Sequence, residues 1–335
     1  MSATRTVAVR TRLTEPRGTG LLRTLGLLAL LIITAGFWIF FSVFATGFTS
    51  DFNVFFLLRS AAIAVTIGFA QMVVLSIGDM NLSVGAIGGA TGMFAGWLMQ
   101  VLGVPPALAV LLAIALGTTL GFGNAALVVW THLNSFIVTL ATASLITGGM
   151  LILTRARPFS NLPDSFIGIA QTELGGVPVA PLVLIMLAVA LVLGLVYRST
   201  SLGREMLAIG ANRKAARMSG LAVGRIVLVA HGLSGLLAAL AGAMSVAANN
   251  TASPGIGSDW VLASFVAPAI GGTLLSGGLV SVSGTVLGGL LVATISSGLL
   301  LMNVSNFWLS VFLGAVLLLA VGLDRITRTV GGAAS

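Results

Sequence analysis

The segment S-I-G-D-M-N-L-S-V-G-A, Ser76 to Ala86, interrupts two long apolar runs, 57–77 and 84–103, with Asp79, Asn81, two serines and two glycines. Polar groups are costly at membrane depth unless the protein itself satisfies them. A helix needs about 20 apolar residues to cross a bilayer. Two such runs joined by a polar, glycine-bearing break therefore read as membrane spans meeting inside a bundle.

Working outward, further apolar runs lie at 21–46, 106–130, 135–154, 178–197, 225–248, 259–276, 280–301 and 306–323. The weakest is 259–276, which is short and holds Pro268, Gly271 and Gly272. Of the 335 residues 57% are hydrophobic and only 7% charged, against about 25% charged in soluble domains. The expected fold is an all-α polytopic membrane protein with about ten transmembrane helices. Five spans per half would invert the second half relative to the first, the arithmetic of an inverted repeat of two five-helix halves. Each half also carries a Gly-rich broken segment, 78–92 and 271–289, and these are paired as counterparts.

Charge sets the orientation. Thirteen of the sixteen basic residues fall in three places: Arg5 to Arg23, Arg198 to Arg225, and Arg325 with Arg328. By the positive-inside bias these are cytoplasmic. The expected organisation is a basic cytoplasmic tail (1–20), one transmembrane domain (21–323) and a cytoplasmic C-terminal tail (324–335), with an external loop at 155–177 and a cytoplasmic connection at 198–225. Arg59, Arg155 and Arg157 are exceptions to the bias. The first run is longer than a typical signal-peptide core and reads as a retained span. Basic clusters that flank spans argue against nucleic-acid binding. Trp97, Trp260 and Trp308 near outer ends, and Trp130 near an inner end, read as interfacial anchors.

Several chemistries are excluded. There is no cysteine and there are two histidines, His132 and His231, far apart in sequence, so no metal site is expected. The single lysine, Lys214, is followed by Ala215, and no phosphate-binding loop of the Gly-x-x-x-x-Gly-Lys-Ser/Thr type exists. No catalytic residues are expected, and the chain is not expected to be an enzyme or to hydrolyse ATP. Gly-x-x-x-Gly at Gly85–Gly89, Gly88–Gly92, Gly117–Gly121 and Gly284–Gly288 reads as close helix packing. In the inner connection, Asn212 fits an N-cap and Gly220 a C′ stop around a short basic helix with Ala215, Ala216 and Met218 on its apolar side. Such a helix could lie on anionic lipid, be inert, or be gripped by a cytosolic partner. Gln71, Asn81, Ser83, Asn124, Asn249 and Asn250 are candidate path-lining groups, since neutral amides and hydroxyls suit sugar hydroxyls. Asp79 is an ionisable group near membrane depth. Two isolated acids, Asp79 and Asp259, make a thin relay for an ion-coupled carrier.

A family resemblance rests on ordered segments. N-S-F-I-V-T-L-A-T-A-S-L-I-T-G-G-M-L-I-L-T-R-A-R-P-F (134–159), T-S-L-G-R-E-M-L-A-I-G-A-N-R-K-A-A-R-M-S-G-L (200–221), L-S-G-L-L-A-A-L-A-G (233–242), I-G-G-T-L-L-S-G-G-L-V-S-V-S-G-T-V-L-G (270–288) and L-S-V-G (82–85) resemble the membrane permease subunits of ribose/monosaccharide-type ABC importers, within the branched-chain amino acid/sugar permease superfamily. The resemblance covers roughly 55 to 325. It implies a translocation path for a monosaccharide such as ribose in a bacterial cytoplasmic (inner) membrane. The implied partners are a cytoplasmic ATPase carrying ATP and Mg, a second permease subunit, identical or different, and an external solute-binding protein. It also implies that Gly210, Asn212, Ala215, Ala216, Ser219 and Gly220 belong to a coupling helix docking on the ATPase. No cofactor is implied for this chain itself. Departures from the family pattern are Asn81 at its usual aspartate, Asp79 two residues earlier, Val261 and Ala263 at an acidic pair, and Gly277-Gly278-Leu279-Val280 without its arginine. These fit one subunit of a heteromeric pair. The alternatives are the same architecture serving a nucleoside, an amino acid or a signalling furanosyl compound, and an ion-coupled secondary carrier.

Overall fold

The computed structural model describes residues 17–305 and, beyond them, residues 308, 310, 311, 313–315 and 318. The expected span 306–323 lies largely outside the described residues, as do the tails at 1–16 and 324–335. Among the described residues the regular structure is entirely helical: α1 (Arg17–Phe44), α2 (Asp51–Leu75), α3 (Val84–Gln100), α4 (Pro106–Thr131), α5 (Ser135–Thr154), α6 (Asp164–Gln171), α7 (Pro181–Ser199), α8 (Ser201–Ala211), α9 (Arg213–Met218), α10 (Val223–Asn249), α11 (Trp260–Ile270) and α12 (Val282–Leu301).

Seven of these helices are long and apolar enough to cross a membrane: α1, α2, α4, α5, α7, α10 and α12. The protein is thus a multi-pass α-helical membrane protein. Two other expected spans are shorter. α3 has 17 residues and α11 has 11. Both shortenings have a local cause. α3 starts only after the break at 76–83, and α11 begins after irregular chain at 250–259 and ends at Ile270, where Gly272 at φ +83° lets Thr273 N–H donate back to the Pro268 carbonyl at 2.9 Å.

α10 forms the centre and packs on α2, α3 and α4. α2 packs on α10, α11 and α12, while α3 pairs with α4 and α11 with α12. Glycines permit these approaches. Gly117 and Gly121 of α4 meet α10 at Gly235 and His231, Gly88 of α3 meets Gly242, and Gly284 and Gly288 of α12 meet Gly271 and Ala267. The Gly-x-x-x-Gly pairs therefore serve close packing. A second apolar cluster joins α1 to α2 and α12 through Leu30, Phe41, Phe48, Leu57 and Leu291.

One of the exceptions noted in the sequence acquires a reason, and one expected anchor is corrected. Arg59, on α2, donates to the Ala170 carbonyl at the end of α6, 3.3 Å away, and lies over the Phe55 and Phe56 rings. It is satisfied by a helix C-terminus and aromatic faces. Trp260 is not an interfacial anchor: it is 7% exposed and covers Gly88. Trp130 and Trp308 are exposed.

Candidate functional site

The break at 76–83 is not helical, yet each N–H from Asp79 to Ser83 has an acceptor. Asp79 N–H donates to the Val74 carbonyl at 3.3 Å. Met80 N–H reaches Ser135 Oγ at 3.1 Å and Leu82 N–H reaches Thr139 Oγ1 at 3.0 Å. Gln71 takes Asn81 from both sides: its amide oxygen accepts from Asn81 N–H at 3.3 Å and its NH2 donates to the Asn81 carbonyl at 2.8 Å. Asn81 Oδ1 accepts from Ser83 N–H at 3.0 Å and Ser83 Oγ at 2.6 Å. Asn81 Nδ2 donates to Ser234 Oγ at 2.9 Å, and Asn124 Nδ2 to Ser83 Oγ at 2.7 Å. Helices α2, α4, α5 and α10 thus complete the ladder that the break leaves open. Leaving a buried backbone donor unpaired costs about 1–3 kcal/mol, so this network is the condition for having the break at all.

Asp79 leads out of this cluster. Its carboxylate lies 3.2 Å from the Arg213 guanidinium on α9 and 3.6 Å from His231 Nε2 on α10. The latter exceeds hydrogen-bond reach, and neither His231 ring nitrogen has a hydrogen-bond partner among the described residues. The same junction holds the end of α8. Gly210 sits against the Ser76 carbonyl and the Gly278 N–H, and Gly278 N–H donates to Ser76 O at 3.1 Å. Gly277, at φ +93°, lies over Gly78 and Gly210. Both 76–83 and 271–281 therefore bear on α8 at one point, through backbone that has no room for a Cβ.

α9 is capped at both ends. Asn212 Oδ1 accepts from Ala215 N–H at 3.0 Å, and Gly220 follows at φ +83°. Ser219 Oγ donates to the Ala215 carbonyl at 3.0 Å. Ala216 is buried, whereas Ala215, Ser219, Gly220 and Met218 are exposed, with Arg213, Lys214 and Arg217 beside them. Gly210 and Ala216 differ from the rest of the group: Gly210 is a packing position of α8, and Ala216 packs α9 on the core.

The candidate path residues fall into two places. Gln71, Asp79, Asn81, Ser83 and Asn124 share the buried cluster. Asn249 and Asn250 lie exposed at the far end of α10, where Asn250 caps the helix at φ +57°. A profile of the family described as branched-chain amino acid transport system / permease component matches residues 53–321. The chain belongs to that family.

Among curated relatives of this permease are the ribose import permease protein of Bacillus subtilis, 36% identical over 90% of this chain and 91% of the relative, and the D-allose transport system permease protein of Escherichia coli, 33% identical over 86% and 88%. A third is the xylose transport system permease protein of Haemophilus influenzae, 30% identical over 89% and 96%. No solved structure matches the permease. Four side chains of its polar cluster escaped sequence reasoning: Ser135, Thr139, Ser234 and Arg213. The first two lie four apart and hence on one face of α5, but Thr142, Ser144 and Thr147 on the same helix dilute that signal.

Proposed function

We propose that this chain is the transmembrane permease subunit of a binding-protein-dependent ABC importer for a monosaccharide such as ribose. The observation that carries the coupling half of this reading is α9: short, exposed, basic and capped at both ends, with Asp79 tying it to the polar break. The ribose, allose and xylose relatives support the substrate half. On this reading α9 docks on a separate cytoplasmic ATPase through Asn212, Ala215, Ser219 and Gly220, with the buried Ala216 seating the helix on the bundle and Gly210 transmitting its displacement. ATP and Mg belong to that partner, since this chain lacks a phosphate-binding loop. A second permease subunit and an external solute-binding protein complete the importer in the bacterial inner membrane, both termini cytoplasmic. Gln71, Asp79, Asn81, Ser83, Asn249 and Asn250 mark the translocation path.

The reading includes ten spans in two inverted halves, with α2, α3 and α4 matched to α10, α11 and α12. Reciprocal packing supports this: α10 lies on α3 and α4 as α2 lies on α11 and α12, and Gly85 and Gly257 touch each other's carbonyls. By element order the counterpart of 76–83 then becomes 250–259 rather than 271–289.

The test is uptake of labelled D-ribose, D-allose and D-xylose by proteoliposomes holding the permease, its ATPase and its binding protein. Uptake should require ATP and stop when the ATPase carries a substituted phosphate-loop lysine. Uptake that survives that substitution would point to an ion-coupled carrier and sink the importer reading.

A further inference from the structure

The irregular chain between α10 and α11 does not run over the end of the bundle. Ala252 exchanges two backbone hydrogen bonds with Phe159, at 2.8 and 2.9 Å, and packs on Gly96 of α3. Five residues on, Gly257 packs on Gly85, near the start of the same helix. Gly85 and Gly96 are separated by about 16 Å at 1.5 Å per residue. The segment therefore descends along α3 into the helices. Non-helical backbone at membrane depth is tolerated only when buried in protein or lining a water-filled cavity.

It lines a cavity of about 380 Å³, walled by Ser245, Asn249, Thr251, Ser253, Asp259 and Trp260. No Lys or Arg lines it. The Asp259 side chain has no hydrogen-bond or ion-pair partner among the described residues. Asn249 Nδ2 makes one weak bond, 3.3 Å to Ser245 Oγ. The wall thus offers an unpaired acceptor pair, an amide that both donates and accepts, three hydroxyls and an indole. Charge complementarity disfavours an anion beside an unneutralised carboxylate. A solute carrying many hydroxyls and no charge can pair with every group present, and the indole supplies an apolar wall for its C–H face.

We propose that this cavity is the entry subsite for a neutral polyhydroxylated solute, with Asp259 and Asn249 holding its hydroxyls. The proposal rests on the monosaccharide reading above and adds where the sugar is received. Asp259 is exposed, so Asp259→Asn does not threaten folding. Trp260→Phe keeps a ring over Gly88 as a second probe.

The experiment uses the assembled importer in proteoliposomes, with labelled D-ribose, D-allose and D-xylose as probes. ATP hydrolysis stimulated by the loaded binding protein is recorded in parallel. Asp259→Asn and Asn249→Ala should each lower sugar uptake at least tenfold while stimulated hydrolysis stays within twofold of the unmodified importer, so that hydrolysis is uncoupled from delivery. Trp260→Phe should lower uptake by a smaller factor. Glu173→Gln, an exposed acid outside the cavity, should change neither readout. Unchanged uptake in the Asp259 and Asn249 variants would overturn the subsite while leaving the sugar reading standing. Parallel loss of uptake and stimulation would overturn it in favour of a docking surface for the binding protein. Failure of the unmodified importer to take up any of the three sugars would instead strike the monosaccharide reading itself.

Discussion

At Asp79 a carboxylate that is 6% exposed meets a guanidinium that is 42% exposed. The pair is buried at one end and wet at the other, so its worth to stability is moderate, about 1–3 kcal/mol. Its position matters more, because it joins the break to α9. Replacing Asp79 with Leu is expected to leave membrane insertion intact and to reduce ATP-driven uptake at least tenfold. Normal uptake by that variant would show the pair to be dispensable. Asn81→Asp should be tolerated, because the Ser234 hydroxyl can rotate from accepting to donating. Thr139→Val removes the acceptor of Leu82 N–H and should cost about 1–3 kcal/mol, read as a lower melting temperature in detergent. The pair Ser135 and Thr139 shows what was legible here. Two hydroxyls four residues apart share one face of α5, but the helix also carries Thr142, Ser144 and Thr147, and the targets of the pair, 55 and 57 residues earlier in the chain, are fixed by the packing of α5 beside the break. Trp260 was misread for the converse reason: a tryptophan near the end of an apolar run suggests an interface until Gly88 is found beneath it.

At the scale of the element, α8 and α9 divide the connection at 198–225 into a packed part and a presented part. A Cβ at Gly210 has no space between Ser76 and Gly278. Gly210→Val should therefore disturb the junction of both irregular segments and reduce the yield of folded protein as well as uptake. Ala215 is exposed on α9, so Ala215→Trp should leave folding untouched and abolish only ATPase association, measured by co-purification of the two subunits. Retained co-purification would take Ala215 out of the docking face. The caps of α9 were readable from Asn212 and Gly220, because capping is a local matter of one side chain and one backbone angle. The lengths of α3 and α11 were not. Composition continues apolar through 259–276, and nothing in it reveals that the chain from 250 to 259 dips along α3 before α11 can start.

For the whole molecule, the absence of cysteine allows single-cysteine mapping against a silent background. A cysteine at Thr172 should react with a membrane-impermeant maleimide in intact cells, and one at Ser219 only after permeabilisation. Labelling of both from outside would overturn the orientation assigned from basic residues. Membrane class, the main spans and the family were legible because they depend on composition and on ordered motifs. The packing of α10 on α3 and α4, and of α2 on α11 and α12, was not, since it lies in contacts between residues far apart in the chain. Gly85 of α3 and Gly257 of the irregular segment lie against each other's carbonyls. There the start of α3 and the descending segment approach with only peptide groups between them. A contact made of main chain has no rotamers to swing aside. It can part only when α3 and the 250–259 segment draw away from each other as stiff pieces, so the spacing at this point is governed by helix placement and not by the size of any side chain.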